Sequence, residues 1–456
     1  MLRYLKTAVF AVGLFTIPAF SSILTTSEPL TLEQCVAMAL ESNLRIEIAN
    51  EKITQQNMAV KEASASQFPK LSAQAAYTRL HEATKVAGLV PLFPDPVTGV
   101  ANAVAPFELD LGANAYTAGV TLTQPIYTGG RISTARQIAE YSLSASEWQK
   151  KSTVREIRRD VTTAYYNVLA ARKSLVALDS AIAMMEALTR DLGNAVEVGM
   201  RGEHELLQAQ VQLLNQRLSR QQSASRADAA SHFLSTLIGT PVNTPLNLVT
   251  EIESPDGIDM PELTVMQTRA REASADLKAL EDQLSIVEAS GKIAGATYIP
   301  TVAAVASYSG QGTSLEKNTQ SNPGGWKNGA SVSLVAQWEF FDGGAARQKK
   351  RQAHSQMRQV ELGMENLKIM LDMQVKNNVT SLEDAFLSIE TSRKNIEQTK
   401  RSYEISYDKF QEGVLLSSEL LNAQNLTLQA EISYYAALSN FYARQAELDY
   451  LVNPDN

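Results

Sequence analysis

Tyr127-Thr128-Gly129-Gly130 with the run 131–198 behind it, and Phe341-Asp342-Gly343-Gly344 with 345–412 behind it, decide the fold. Each aromatic-x-Gly-Gly turn opens 68 residues without a proline, and the second copy lies 214 positions after the first. Both runs close on a glycine and a shared pattern: Gly199 then Glu205-Leu206-Leu207-Gln208-Ala209-Gln210, and Gly413 then Glu419-Leu420-Leu421-Asn422-Ala423-Gln424. As helix, at ~1.5 Å per residue, each run reaches roughly 100 Å, far past the three or four turns usual in a globular domain.

Proline punctuation repeats the message. None lies between Pro125 and Pro241 or between Pro323 and Pro454, while Pro241, Pro245, Pro255 and Pro261 crowd the middle. Proline breaks helices, so the gaps permit long helix and the cluster marks a linker. The chain therefore divides into repeats at 23–240 and 262–456 joined by 241–261. Within the first long run Val154, Ile157, Val161, Ala164, Val168, Ala171, Leu175, Leu178, Ile182 and Met185 alternate steps of three and four, the heptad signature of helix pairing. Leu371, Val375, Leu382, Ala385, Ile389, Ile396 and Tyr403 keep that phase in the second, weakened by Asn378, Ser392 and Thr399. Shorter helices are expected at 31–66, 203–238, 262–297 and 417–452. Each is about half as long as a long helix, so two stacked end to end would flank one long helix.

The start of the chain has the layout of a secretory signal peptide over 1–22: Arg3 and Lys6, an apolar stretch from Thr7 to Phe20, then Ser21 and Ser22. That stretch is too short for a membrane anchor, and no later segment approaches 18 uninterrupted apolar residues. The single cysteine, Cys35, excludes an intramolecular disulfide and a cysteine metal cluster. Leu32-Glu33-Gln34 before it are not the small residues of a lipoprotein signal. A formal charge of −8 with mixed signs offers no field suited to nucleic acid. His81, His204, His232 and His354 have no histidine three or four residues away, and neither a phosphate-binding glycine loop nor a nucleophile elbow occurs. No enzyme, cofactor or metal is expected, and driving energy must come from a partner.

Between the helices lie segments of period two. Leu71, Ala73, Ala75 and Tyr77 alternate with Ser72, Gln74 and Thr78, and Tyr116, Ala118, Val120 and Leu122 with Thr117, Thr121 and Thr123. The second repeat offers Val302, Ala304, Ala306 and Tyr308, then Val332, Leu334, Ala336 and Trp338. Alternation alone fits a half-buried soluble sheet or a lipid-facing barrel. The aromatic strand ends (Tyr77, Tyr116, Tyr127, Tyr308, Trp338, Phe340, Phe341) and the long loops from Thr78 to Ala115 and from Ser309 to Ala330 favour the barrel. An open sheet edge cannot sit in hydrocarbon and membrane barrels need at least eight strands, so four per chain imply that several chains share one barrel.

With Pro69 and Pro300 opening strands, the two Gly-Gly turns and the paired tip patterns in duplicate order, the chain resembles the TolC-like outer-membrane export ducts, the outer membrane factors. The resemblance covers the mature chain. It implies a mainly α fold with a membrane β component: a homotrimer whose four strands per protomer complete a twelve-stranded outer-membrane barrel, continued through the periplasm by a coiled-coil α-barrel. It further implies a passive exit duct joined through a periplasmic adaptor (membrane fusion protein) to an inner-membrane pump of RND, ABC or MFS type, with outer-membrane lipid as surroundings.

Two kinds of site follow. The tip turns Gly199-Met200-Arg201 and Gly413-Val414-Leu415 are expected to dock the adaptor, because apolar residues stand where a turn should be solvated; glycine at a helix end also serves as a left-handed cap. One turn further, the resemblance assigns a periplasmic constriction to Glu419, with Asn422 where a second carboxylate is common; Glu205 and Gln208 correspond in the first repeat. Three Glu419 side chains near an axis would attract cations. An acid in a first helical turn equally serves the helix dipole, with Ser417 and Ser418 as N-caps. A soluble periplasmic coiled-coil scaffold or adaptor is the alternative that the heptads leave open.

Overall fold

The computed structural model describes residues 29–79, 81, 85–91, 104–110, 114–242, 244–316, 318 and 325–453. The signal peptide, its cleavage near Ser22 and parts of both surface loops lie outside them.

The order of elements is α1 (Leu32–Ser42), α2 (Leu44–Ala65), β1 (Lys70–Arg79), β2 (Lys85–Pro91), β3 (Val104–Asp110), β4 (Asn114–Tyr127), α3 (Arg131–Glu197), α4 (Glu203–Leu237), α5 (Leu263–Ala273), α6 (Ala275–Gly295), a single 3-10 turn at Ala296–Tyr298, β5 (Thr301–Gly312), β6 (Lys327–Gln337), α7 (Ala345–Gln411) and α8 (Ser417–Val452). The two long helices each hold 67 residues. Their entry turns need glycine: Gly129, Gly130, Gly343 and Gly344 all have φ between +62° and +86°, a region that costs other residues a Cβ clash. In the second turn Asp342 adds a cap, its carboxylate accepting from Gly344 N at 2.9 Å and Ala346 N at 2.6 Å.

Helices α2 and α4 lie along α3, while α6 and α8 each touch both α3 and α7. The half-length helices meet end to end. Asn43 Nδ2 donates to Leu237 O at 3.0 Å and Ser42 Oγ to Ile238 O at 2.8 Å, joining the α1–α2 break to the end of α4. At the equivalent joint of the second repeat, buried Arg155 donates to Ala273 O at 2.7 Å, to Asn453 O at 3.0 Å and to Tyr450 O. The largest core cluster surrounds the first of these joints and the α3 midpoint, with Ile157, Val161, Val168, Leu234, Ile389 and Leu438, and a separate cluster of Met266, Ala270, Val375, Leu451 and Val452 lies at the second. The linker is fastened there too: Tyr165 Oη donates to Leu30 O at 3.1 Å, and Leu30 forms a parallel bridge with Leu248.

The heptad phase holds in both long helices, and Asn378 keeps a buried core position although its Oδ1 meets no protein partner. Two single helices expected from the sequence, 31–66 and 262–297, are instead broken pairs. Asn43 accepts from Arg45 N and Ser274 from Leu277 N, so each residue caps the helix that restarts behind it.

Strands β1, β4, β5 and β6 form one antiparallel sheet in the order β1-β4-β5-β6. The register gathers the apolar residues on one face: Leu71, Ala73, Ala75 and Tyr77 stand opposite Leu122, Val120, Ala118 and Tyr116. That face continues through Tyr308 and Ala306 opposite Val120 and Leu122, then Val332 and Leu334 opposite Ala306 and Ala304. The other face carries Ser72, Thr117, Thr121, Ser307, Ser331 and their neighbours. The four strands contain no carboxylate, and Lys70 and Lys327 stand at strand ends on this hydroxyl-bearing face. β1 and β6 pair on one side only among the described residues. The first surface loop is not wholly irregular: β2 and β3 pair as a separate hairpin, Lys85 opposite Asp110 and Pro91 opposite Val104.

Candidate duct tip

Far from the sheet, α3 turns into α4 and α7 into α8. Gly199 and Gly413, at φ +73° and +76°, take the left-handed conformation that ends each long helix. Inside the tip a second cluster joins Met185, Leu188 and Leu192 of α3 to Ala209 of α4, Phe410 of α7, and Leu420 and Leu421 of α8. Leu415 packs against this cluster and so anchors its turn, whereas Met200 is 79% exposed, Val414 75% and Leu416 60%. These three leave apolar surface at the very end of the molecule.

Arg201 ties the two turns together. Its guanidinium lies 4.7 Å from the Phe410 ring, donates to Phe410 O at 3.1 Å and pairs with Glu205 at 3.4 Å. Glu205 therefore neutralises this arginine as well as occupying the first turn of α4. Between the turns lies a polar cleft of about 920 Å³ lined by Asp191, Gly199, Arg201, Glu205, Phe410 and Glu412. A smaller groove of about 280 Å³, between α3 and α7, has Met184, Leu188, Tyr403 and Tyr407 as walls and Asp191 and Asp408 at its rim. Burial raises the Tyr403 hydroxyl above its ordinary pKa, and the neighbouring Tyr407 adds to the shift.

Glu419 and Asn422 are exposed on α8, one turn apart, while Gln424, on another side of the helix, donates to Ala181 O of α3 at 2.9 Å. Their side of α8 is thus free in the single chain. The expected Ser417 and Ser418 caps are corrected by the structure. The N-cap is Leu416, without a side-chain cap bond, and Ser417 is the first helical residue with its buried Oγ unpartnered. Helix α4 likewise starts from uncapped Gly202, so Glu205 and Glu419 supply negative charge to helix ends that lack a polar cap. Sequence reasoning overlooked two tethers. One is Arg201 on Phe410; the other is Asn425 Oδ1, which accepts from Gln212 of α4 at 2.7 Å. Each joins residues about half the chain apart, and no local signal announces that.

No group of histidine, cysteine or acidic residues among the described residues could hold a metal ion. Cys35 is buried in α1, where burial pushes its thiol to about 11. No described helix is long and apolar enough to cross a membrane, which leaves the sheet as the element to consider. The family model for outer membrane efflux proteins matches residues 35–240 and 267–453, nearly the whole described chain, in two segments.

The chain belongs to the outer membrane efflux protein family.

The duplicated match accords with the two repeats of the fold, and the family assigns the protein to the outer membrane with its helices in the periplasm. Solved efflux channels share the architecture. The Campylobacter jejuni CmeC outer membrane channel superposes with a TM-score of 0.73 at 17% identity over 93% of this chain and 85% of its own. VceC of Vibrio cholerae gives 0.70 at 14% over 92% and 95%. The open state of the Neisseria gonorrhoeae MtrE channel gives 0.70 at 16% over 92% and 88%. Among curated proteins, no sequence matches the chain.

Proposed function

We propose that this efflux-family protein is a passive exit duct, a homotrimer closed at its periplasmic tip and opened on assembly with a periplasmic adaptor and an inner-membrane pump. The observation that carries the reading is the open four-stranded sheet, apolar along the middle of one face with polar residues such as Arg79 and Asn114 only at its ends, and unpaired at both edges among the described residues. A lipid-embedded sheet must close, because an unpaired backbone group in hydrocarbon costs several kcal/mol. Three copies joined β6 to β1 give twelve strands with lipid outside and hydroxyls inside.

The helices support the same closure. On α4, Leu207, Val211, Leu214 and Leu218 form an exposed stripe, and on α7 Leu362, Ile369, Met373 and Leu387 are exposed. Joining one chain's α2–α4 column to the next chain's α7 would cover both. In this reading residues 1–22 are removed on export, 23–240 and 262–456 are the two repeats, and 241–261 fastens them at the belt. Met200 and Val414, with the clefts beside Arg201, receive the adaptor; Glu419 and Asn422 narrow the closed end. The chemistry performed is conduction only, so the type of pump, RND, ABC or MFS, sets the cargo. A membrane section walled by hydroxyls, with lysines only at its rims, does not sort cargo by negative charge.

Fractionation and planar-bilayer recording test this. Extraction with outer-membrane proteins only in detergent, and discrete conductance steps after reconstitution, are expected. Release by osmotic shock as a detergent-free protein would favour the soluble scaffold and overturn the duct.

A further inference from the structure

The start of α7 carries Arg347, Lys349, Lys350 and Arg351 within its first two turns, all exposed, and none forms an ion pair among the described residues. This is the wrong end of a helix for cations, because the backbone dipole is positive there and the four charges also repel one another. Nor is it a requirement of the architecture. The equivalent positions of α3, 214 residues earlier, hold Ser133, Ala135, Arg136 and Gln137, and Arg136 is paired with Glu140 at 2.8 Å.

Immediately before the cluster stand Trp338, Phe340 and Phe341, the last two 76% and 78% exposed. Trp338 continues the parity of the apolar sheet face through Leu334 and Ala336. Exposed aromatics at a strand end mark the level of the lipid headgroups. The four cations begin just beyond, within roughly 10 Å along the helix axis at ~1.5 Å per residue. A polybasic patch directly behind an aromatic belt fits negatively charged headgroups.

We propose that the start of α7 is a binding surface for anionic phospholipid headgroups of the periplasmic leaflet of the outer membrane. The inference rests on the duct reading for the position of the sheet, and it assigns to the second repeat alone the task of fixing the depth of the barrel. Headgroup phosphates offset the repulsion that the helix start otherwise carries.

The test uses the full chain in a Trp148→Phe, Trp326→Phe background, which leaves Trp338 as the fluorophore. It is reconstituted in phosphatidylcholine bilayers containing brominated phosphatidylglycerol or brominated phosphatidylcholine. The expected preference for phosphatidylglycerol at Trp338 is roughly fivefold or more, one basic residue's worth of surface attraction. It falls towards unity in R347Q/K349Q/K350Q/R351Q, and in the unsubstituted cluster at 1 M salt, where screening reaches about 3 Å. The salt arm needs no altered cluster, so a folding defect in the quadruple variant does not decide the matter. Equal quenching by both lipids, a preference insensitive to salt, or one retained in the quadruple variant overturns the proposal. Quenching by neither lipid overturns the membrane position of the sheet itself.

Discussion

Replacing Arg155 by methionine should loosen the belt of the molecule while leaving its tip untouched. Arg155 is 8% exposed and its guanidinium serves three carbonyl oxygens, those of Ala273, Tyr450 and Asn453, so that it holds the end of α5 and the last turn of α8 together. Burial draws its pKa below the ordinary value while Tyr450 and Asp276 oppose the shift, but an arginine remains charged throughout the physiological range. Hydrogen bonds to a charged group contribute ~1.5–3 kcal/mol each, and removing the side chain strands three acceptors. Returning the guanidinium to water recovers part of that, so a net loss of about 2–4 kcal/mol follows. The loss is local, which makes hydrogen exchange the right assay. Protection of the α8 amides near residues 446–453 should fall roughly 30- to 1000-fold, one decade per ~1.4 kcal/mol. Arg155→Lys should be intermediate, because a single ammonium cannot span all three carbonyls. Protection at the α8 terminus within threefold of the parent, or an equal loss in the tip at Leu420, would refute the reasoning.

Other expectations are more compact. Gly239 has φ +72° and an added Cβ would lie 2.3 Å from Ser42 Oγ and 2.7 Å from Ser42 Cβ; Gly239→Ala should cost about 1–3 kcal/mol, whereas Gly202→Ala, with open space and ordinary φ, should leave thermal stability unchanged. Glu419→Gln should weaken cation selectivity in single-channel recordings, and unchanged selectivity removes Glu419 from the constriction. The Asp342 carboxyl is held below its ordinary pKa, first by the Ala346 N–H and also by the Tyr298 hydroxyl and Gly344 N–H. Its stabilisation is complete above the unfolded carboxylate value near ~3.9 and lost as pH falls through the lower folded value. The stability gap between parent and Asp342→Asn should therefore stay constant from neutral pH to about 5 and close only in stronger acid; a gap already closed at pH 5 contradicts the cap.

The sequence revealed what depends on period and punctuation. Long helices without proline, heptads, glycines that demand positive φ and alternating strands all have local physical causes, so the architecture and its duplication were legible. The breaks at Asn43 and Ser274 were not, because a polar residue inside a helical pattern usually sits on the solvated face. Asn43 is fixed at its break by donating to Leu237 O, whereas Ser274 bonds only forward, accepting from Leu277 N at the start of α6. The β2–β3 hairpin was hidden by Pro91 and Pro106, which read as loop. At the tip, Gly199 and Gly413 were legible as turns, but the packed role of Leu415 was not, because the cluster it joins is assembled from four helices, two of them distant in sequence. Arg201 likewise looked like one more surface cation until Phe410 was brought beneath it.

The central claim is that one chain supplies a third of a closed membrane wall. Native mass spectrometry of the detergent-extracted mature protein tests it most directly: the account predicts particles of three identical chains, stable only with detergent or lipid bound. A single folded chain that persists in plain buffer would contradict it.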